Sequence, residues 1–156
     1  MNNEGCFKEC TNCSKVPNCC ANFNLIDAPT LNKEEVKKIS CFVKNNDFFN
    51  IKENNIYTLK TVGNKCIFFV NNQCLIYKNR PLDCKLFPFD LIKKDNKYYL
   101  IIYNLSCIDI NNFIENIKYI EKIITDIKPW IKDFTSESNF LKLKTIKYKI
   151  IKEIIV

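Results

Sequence analysis

The sequence predicts a small α+β domain stapled by metal, with two β-hairpins, one N-terminal helix and a C-terminal helical extension. Three observations carry that reading. Ten cysteines occur in 156 residues, and three of them, Cys66, Cys74 and Cys84, crowd one short stretch. Around them, β-branched and aromatic runs alternate with Asn-rich turns. One capped helical pattern precedes those runs and a longer one follows.

Length and composition bound the rest. A chain of 156 residues can bury a modest core. The expected organisation is a cysteine-cluster domain over residues 1–108 with a helical extension, residues 109–156, packed on it. No apolar run reaches the length of a membrane span. The start, MNNEGCFKEC, lacks the basic and apolar regions of a signal peptide. The expected location is therefore cytoplasmic, where thiols stay reduced, and the cysteines read as ligands rather than as a disulfide framework.

Two absences narrow the chemistry. The chain has no histidine, which removes His-dependent triads, HExxH zinc proteases and mixed Cys-His fingers. Its two glycines, Gly5 and Gly63, cannot write a dinucleotide fingerprint or a phosphate-binding loop. The formal charge of +7 counts every cysteine as neutral. Eight thiolates holding two clusters of about −2 each would bring it to about +3, because ligating thiols are deprotonated. The charge is thus a weak argument for nucleic acid, and no nucleic-acid or membrane partner is expected.

Taken in order, residues 1–24 hold Cys6, Cys10, Cys13, Cys19 and Cys20 in a polar segment with little to bury, which needs a staple to be ordered. Asn32 and Glu35 then form a capping-box pattern opening a helix with Val36, Ile39 and Val43 as its apolar stripe. The helix should fade near Lys44, before the breaker Asn45-Asn46-Asp47. Cys41 lies off the stripe and is expected to be a small buried apolar residue, not a ligand. Ile56–Thr61 reads as a strand leading through Val62-Gly63-Asn64 into a hairpin of CIFFV against CLIY, closed at Asn71-Asn72-Gln73. That hairpin would bring Cys66 and Cys74 together. Arg80-Pro81 turns the chain, and Pro81 is placed to start a short helical turn carrying Cys84.

A second hairpin follows, Phe89–Lys93 against Tyr98–Tyr103 with its turn at Asp95-Asn96, and Cys107 lies just past it. From an N-cap at Asp109, apolar residues at Ile110, Phe113, Ile114, Ile117, Ile120, Ile124 and Ile127 keep helical spacing. Pro129 should kink or end that helix. In the tail, Phe140–Val156, Leu143, Ile146, Ile150 and Ile154 fit a helix although part of the segment alternates. Helix is the reading taken.

Thiolate ligation needs a few cysteines around one centre, from C-x2-C knuckles and hairpin partners. Cys10, Cys13, Cys19, Cys20, Cys66, Cys74, Cys84 and Cys107 are the candidate ligands. Eight suffice for two four-thiolate sites, or for one site with other thiols left over. Cys6-x3-Cys10-x2-Cys13 also has the spacing by which radical S-adenosylmethionine enzymes hold a cluster. The chain has neither the length nor the repeated βα units of such a barrel, and chance is the better account.

Read together, Cys10-Thr-Asn-Cys13, Cys19-Cys20, Cys66-Ile-Phe-Phe, Cys74-Leu-Ile-Tyr77, Arg80-Pro81-Leu-Asp-Cys84-Lys-Leu-Phe87-Pro88 and Cys107 resemble the pattern of the YkgJ-type cysteine-cluster family, over roughly residues 6–108. That family is described as zinc- or iron-chelating and is often labelled Fe–S. The Cys19-Cys20 pair follows its knuckle after a longer gap than is usual there, and Cys6 and Cys41 have no counterpart. The resemblance implies a metal-binding protein with Fe–S clusters, [4Fe–4S] among the candidates, or zinc, and no assigned catalytic residue. A redox or metal-handling role with a redox or client protein as partner is the expected function. The alternatives are a structural zinc module for protein interaction and an accessory module similar to part of flagellin lysine methylases. Arg80 and Pro81 are expected to shape the turn, the guanidinium bonding carbonyls or a thiolate, while Tyr77, Phe87 and Phe89 pack around the site.

Overall fold

Asn32 opens the first helix through a reciprocal pair of hydrogen bonds. In the computed structural model, which describes residues 20, 28–43, 46–52, 56–71, 73–104, 117–131 and 147–155, the Asn32 side chain accepts from the Glu35 amide at 2.9 Å. The Glu35 carboxylate accepts from the Asn32 amide at 3.0 Å. Two amides that the helix itself cannot satisfy are thereby paired. Helix α1 runs Lys33–Ser40, with Val36 half-buried and Ile39 fully buried.

The chain divides into two compact units, Met1–Lys85 and Leu86–Val156. In the first, β1 (Thr30–Leu31), β2 (Phe49–Ile51) and β3 (Tyr57–Leu59) form an antiparallel sheet in the order β1-β3-β2. Thr58 faces Thr30 on one side and Asn50 on the other. Leu31, Ile39, Phe48, Leu59, Phe68 and Ile76 make the core. Phe48 centres it, edge-on to Phe49 and tilted against Phe68 at 5.6 Å between ring centroids. Burying a ring of this kind is worth about 1.5–3 kcal/mol, so a small core leans heavily on each such residue.

Two tight hairpins follow where the sequence suggests one. β4 (Thr61–Val62) pairs with β5 (Lys65–Cys66), and β6 (Phe69–Val70) pairs with β7 (Gln73–Cys74). Cys66 therefore lies opposite Thr61, and Phe69, not Cys66, lies opposite Cys74. The physical reason is a turn at Ile67-Phe68, which breaks the apolar run before it can extend the second ladder. Gly63 takes φ +60° and Asn71 takes φ 49°, left-handed values that Gly and Asn tolerate and that close short hairpins. The expected strand Ile56–Thr61 is likewise divided, with Lys60 between β3 and β4. A 3-10 turn at Tyr77–Asn79 leads to Arg80-Pro81 and then to α2, Leu82–Leu86, which carries Cys84 as the Pro81 placement predicts.

In the second unit, β8 (Phe89–Lys94) and β9 (Lys97–Tyr103) form the expected hairpin, with Asp95 and Asn96 at φ 51° and 61°. Two successive left-handed residues give a turn whose twist suits the strands. Helix α3 spans Ile117–Ile127 and gives way to a 3-10 turn, Lys128–Trp130, at Pro129 as expected. Ile120, Ile123, Ile127 and Ile131 are buried at helical spacing. The expected N-cap at Asp109 lies outside the described residues.

The tail corrects the sequence reading. Tyr148–Ile154 is a strand, β10, and it completes a sheet in the order β10-β9-β8. Its register runs from Tyr148 opposite Tyr103 to Ile154 opposite Tyr98, with an irregularity between Ile150 and Lys152. Ile150 and Ile154 fit helical spacing by coincidence, while Leu143 and Ile146 lie outside the described residues. A free strand edge on β9 offers a full ladder of hydrogen bonds, and β-branched residues suit it better than a helix. Glu153 pairs with Lys97 at 3.1 Å on the exposed side. The fold is α+β, and its C-terminal part is a helix plus a sheet strand rather than helical throughout. Among the described residues, no helix is long and apolar enough to cross a membrane.

Candidate metal centre

Four of the eight candidate ligands, Cys20, Cys66, Cys74 and Cys84, pack against the same core in the first unit. Each arrives by a different route. Cys66 ends β5 and Cys74 ends β7, so two successive hairpins deliver one thiol each. Cys20 is tied to Cys66 by the main chain, its carbonyl accepting from the Cys66 amide at 2.9 Å. Cys84 comes on α2. The described cysteines are thiols rather than disulfides.

The electrostatics of the four are shared. Burial pushes the Cys66 thiol up to about 12, and the neighbouring Cys20 and Cys74 push in the same direction. The amides of Phe68 and Phe69, hydrogen-bonded to the Cys66 sulfur, pull against that rise. Burial likewise raises Cys84 well above its ordinary value, with Asp83, Cys20, Cys66 and Cys74 all adding to it. Cys66 and Cys84 therefore resist ionising, first because burial strips water from the thiolate and further because other thiols stand near in a medium of low dielectric. A cation among them reverses that logic, since its charge favours every thiolate at once. Two amides already aimed at one sulfur are the kind of outer support that ligating groups receive.

The donor chemistry fits zinc or iron. Four sulfurs without histidine form a soft set that suits tetrahedral zinc and iron–sulfur ligation alike. Among the described residues, no three Cys, Asp or Glu side chains meet around one point closely enough to hold an ion as they stand. The four thiols are a gathered group on one core, not a closed coordination sphere.

Cys10, Cys13, Cys19 and Cys107, with Cys6, lie outside the described residues. Cys41 corrects the sequence reading: it is exposed, not buried, at the C-terminal end of α1, where its sulfur donates to the Lys37 carbonyl at 3.3 Å. The apolar stripe of α1 turns away from it, which leaves the thiol on the solvent side. Arg80 is buried and lies over the Tyr77 ring, its guanidinium carbon 4.2 Å from the ring centroid. This is a cation–π stack, a partner that the sequence reading did not name for it.

Sequence reasoning also missed two carboxylates. Glu35 reaches beyond its own helix, its second oxygen accepting from the Leu82 amide at 2.6 Å. Asp83 accepts from the Thr30 amide at 2.7 Å. Glu35 is legible locally as a cap, but nothing in the sequence marks its long-range bond. Asp83 carried no signal beyond its place in the first turn of α2.

Residues 9–108 match the model of the CxxCxxCC family, a putative zinc- or iron-chelating domain. The chain belongs to the CxxCxxCC family. Metal binding, to zinc or iron, fits that membership. The CxxCxxCC match takes in the four gathered thiols together with Cys10, Cys13, Cys19 and Cys107. No curated protein and no solved structure matches the chain.

Proposed function

We propose that this CxxCxxCC protein binds metal through cysteine thiolates, with Cys20, Cys66, Cys74 and Cys84 supplying one centre and Cys10, Cys13, Cys19 and Cys107 a second set. The observation that carries the reading is the gathering of four thiols on one core, where burial and neighbouring thiols raise the cost of ionising Cys66 and Cys84. Such a grouping is unfavourable for free thiolates and favourable around a cation. Iron–sulfur clusters are the preferred cargo, because eight thiolates without histidine match two four-cysteine cluster sites. In a reducing cytoplasm, such centres would serve electron transfer or metal handling toward a protein partner.

The test is anaerobic purification of the full chain, followed by a visible spectrum and a count of iron, zinc and acid-labile sulfide. Absorption at roughly 400 nm, with iron matched by sulfide and bleached by reductant, is the expected result. A colourless protein holding zinc would keep the thiolate centre and make it structural. A protein that takes up neither metal would overturn the reading.

A further inference from the structure

Cys84 is the one gathered thiol that reaches the group on a helix, and that helix is short. α2 spans Leu82–Leu86, too few residues to hold its own geometry. Its first amides lack intrahelical acceptors. The Leu82 amide is taken by Glu35 at 2.6 Å, and the opposite oxygen of the same carboxylate is held by the Asn32 amide at 3.0 Å. Running the other way, the Asp83 carboxylate takes the Thr30 amide at 2.7 Å. Carboxylate–amide bonds are charge-assisted and shorter than neutral ones. The two bonds anchor the residues just before Cys84 to the segment Thr30–Glu35. That segment is fixed in turn by the pairing of Thr30 with Thr58 and by the burial of Leu31.

We propose that Glu35 and Asp83 are positioning residues for Cys84, fastening the first turn of α2 to the segment Thr30–Glu35 so that this thiol meets Cys20, Cys66 and Cys74. The proposal rests on the thiolate-centre reading above. Cys66 and Cys74 are placed by their own hairpin ladders and Cys20 by its bond to Cys66. Cys84 has no ladder, and the clamp replaces one. Losing the clamp should therefore affect one ligand of four, not the fold of the whole unit.

The experiment uses the full chain, freed of metal anaerobically and titrated with cobalt(II) as a spectroscopic probe, then with zinc against a competing chelator. Glu35→Gln and Asp83→Asn should each weaken zinc binding about 10- to 100-fold and lower the thiolate-to-cobalt charge-transfer intensity. Asn32→Ala removes the side-chain cap of α1 but spares the Glu35–Leu82 bond, and it should leave both readouts at the wild-type level. Wild-type affinity and spectrum in both carboxylate variants would overturn the proposal, as would an equal loss in Asn32→Ala. If Glu35→Gln fails to fold, Asp83→Asn carries the same test. A wild-type chain that holds no iron as purified and binds neither cobalt nor zinc would overturn the centre itself, a failure distinct from that of the clamp.

Discussion

The amide of Cys66 donates to the carbonyl of Cys20 at 2.9 Å, which joins the thiol of the cysteine-rich N-terminal segment to the thiol of the first hairpin. The link is made by main chain, so replacing either sulfur removes a ligand without removing the link. Cys66→Ser, Cys74→Ser and Cys84→Ser should each lower the bound metal by the content of one centre. The melting temperature should fall with it, because metal-binding free energy adds to folding free energy. Metal counted per chain and thermal unfolding of the same samples check this. Full metal content with unchanged melting in any of the three would remove that residue from the ligand set.

Cys41 provides the contrast. Its thiol is exposed and donates within its own helix turn, to the Lys37 carbonyl. A serine hydroxyl can make the same bond to a preceding carbonyl. Cys41→Ser should therefore keep the full metal content and change stability by no more than about 0.5 kcal/mol, as for other surface positions. Loss of metal in this variant would show that Cys41 is a ligand.

What the sequence conveys here is local. The capping box at Asn32 and Glu35, the two-residue turn at Asp95-Asn96 and the helix end at Pro129 each depend on residues within a few positions. Each was legible for that reason. The split of the Cys66–Cys74 stretch into two hairpins turns on a bend at Ile67-Phe68, where β-rich residues give no warning of a turn. β10 is a strand because β9 offers it an edge, a fact stored far away in the chain. The same holds for the site: eight cysteines could be named as candidate ligands, four of which gather on one core, but not that Glu35 and Asp83 anchor the helix carrying one of them.

Metal uptake should expel protons. With Cys66 pushed up to about 12 and Cys84 well above its ordinary value, both are neutral thiols in the metal-free fold near neutral pH. Both must ionise to ligate, so at least these two protons leave for each metal bound at the centre. Zinc affinity should accordingly tighten by at least about 100-fold for each pH unit between about 6.5 and 8.5. Competition titrations across that range measure it, and calorimetry in buffers of different ionisation enthalpy counts the protons directly. An affinity that does not change with pH would mean that the thiols are already ionised before metal arrives.

Glu35 sets a pH dependence of opposite origin, in a group that is not a ligand. Burial raises its pKa above 4.5, and the Leu82 and Asn32 amides with Lys85 and Lys38 pull it back without cancelling the rise. Between 4.5 and the raised value, the folded chain keeps the proton that the unfolded chain has released. Folding then binds more protons than unfolding, so stability from this group falls as pH rises through the window. Below 4.5 both states are protonated and the contribution is complete. Glu35→Gln cannot titrate. The unfolding free energy of the wild type should therefore gain on that of the variant as pH drops through the window, then run parallel to it below. Urea unfolding of both chains over the acid range reads this difference. A wild type that instead loses ground on acidification would show that the hydrogen bonds from Leu82 and Asn32 outweigh burial at Glu35.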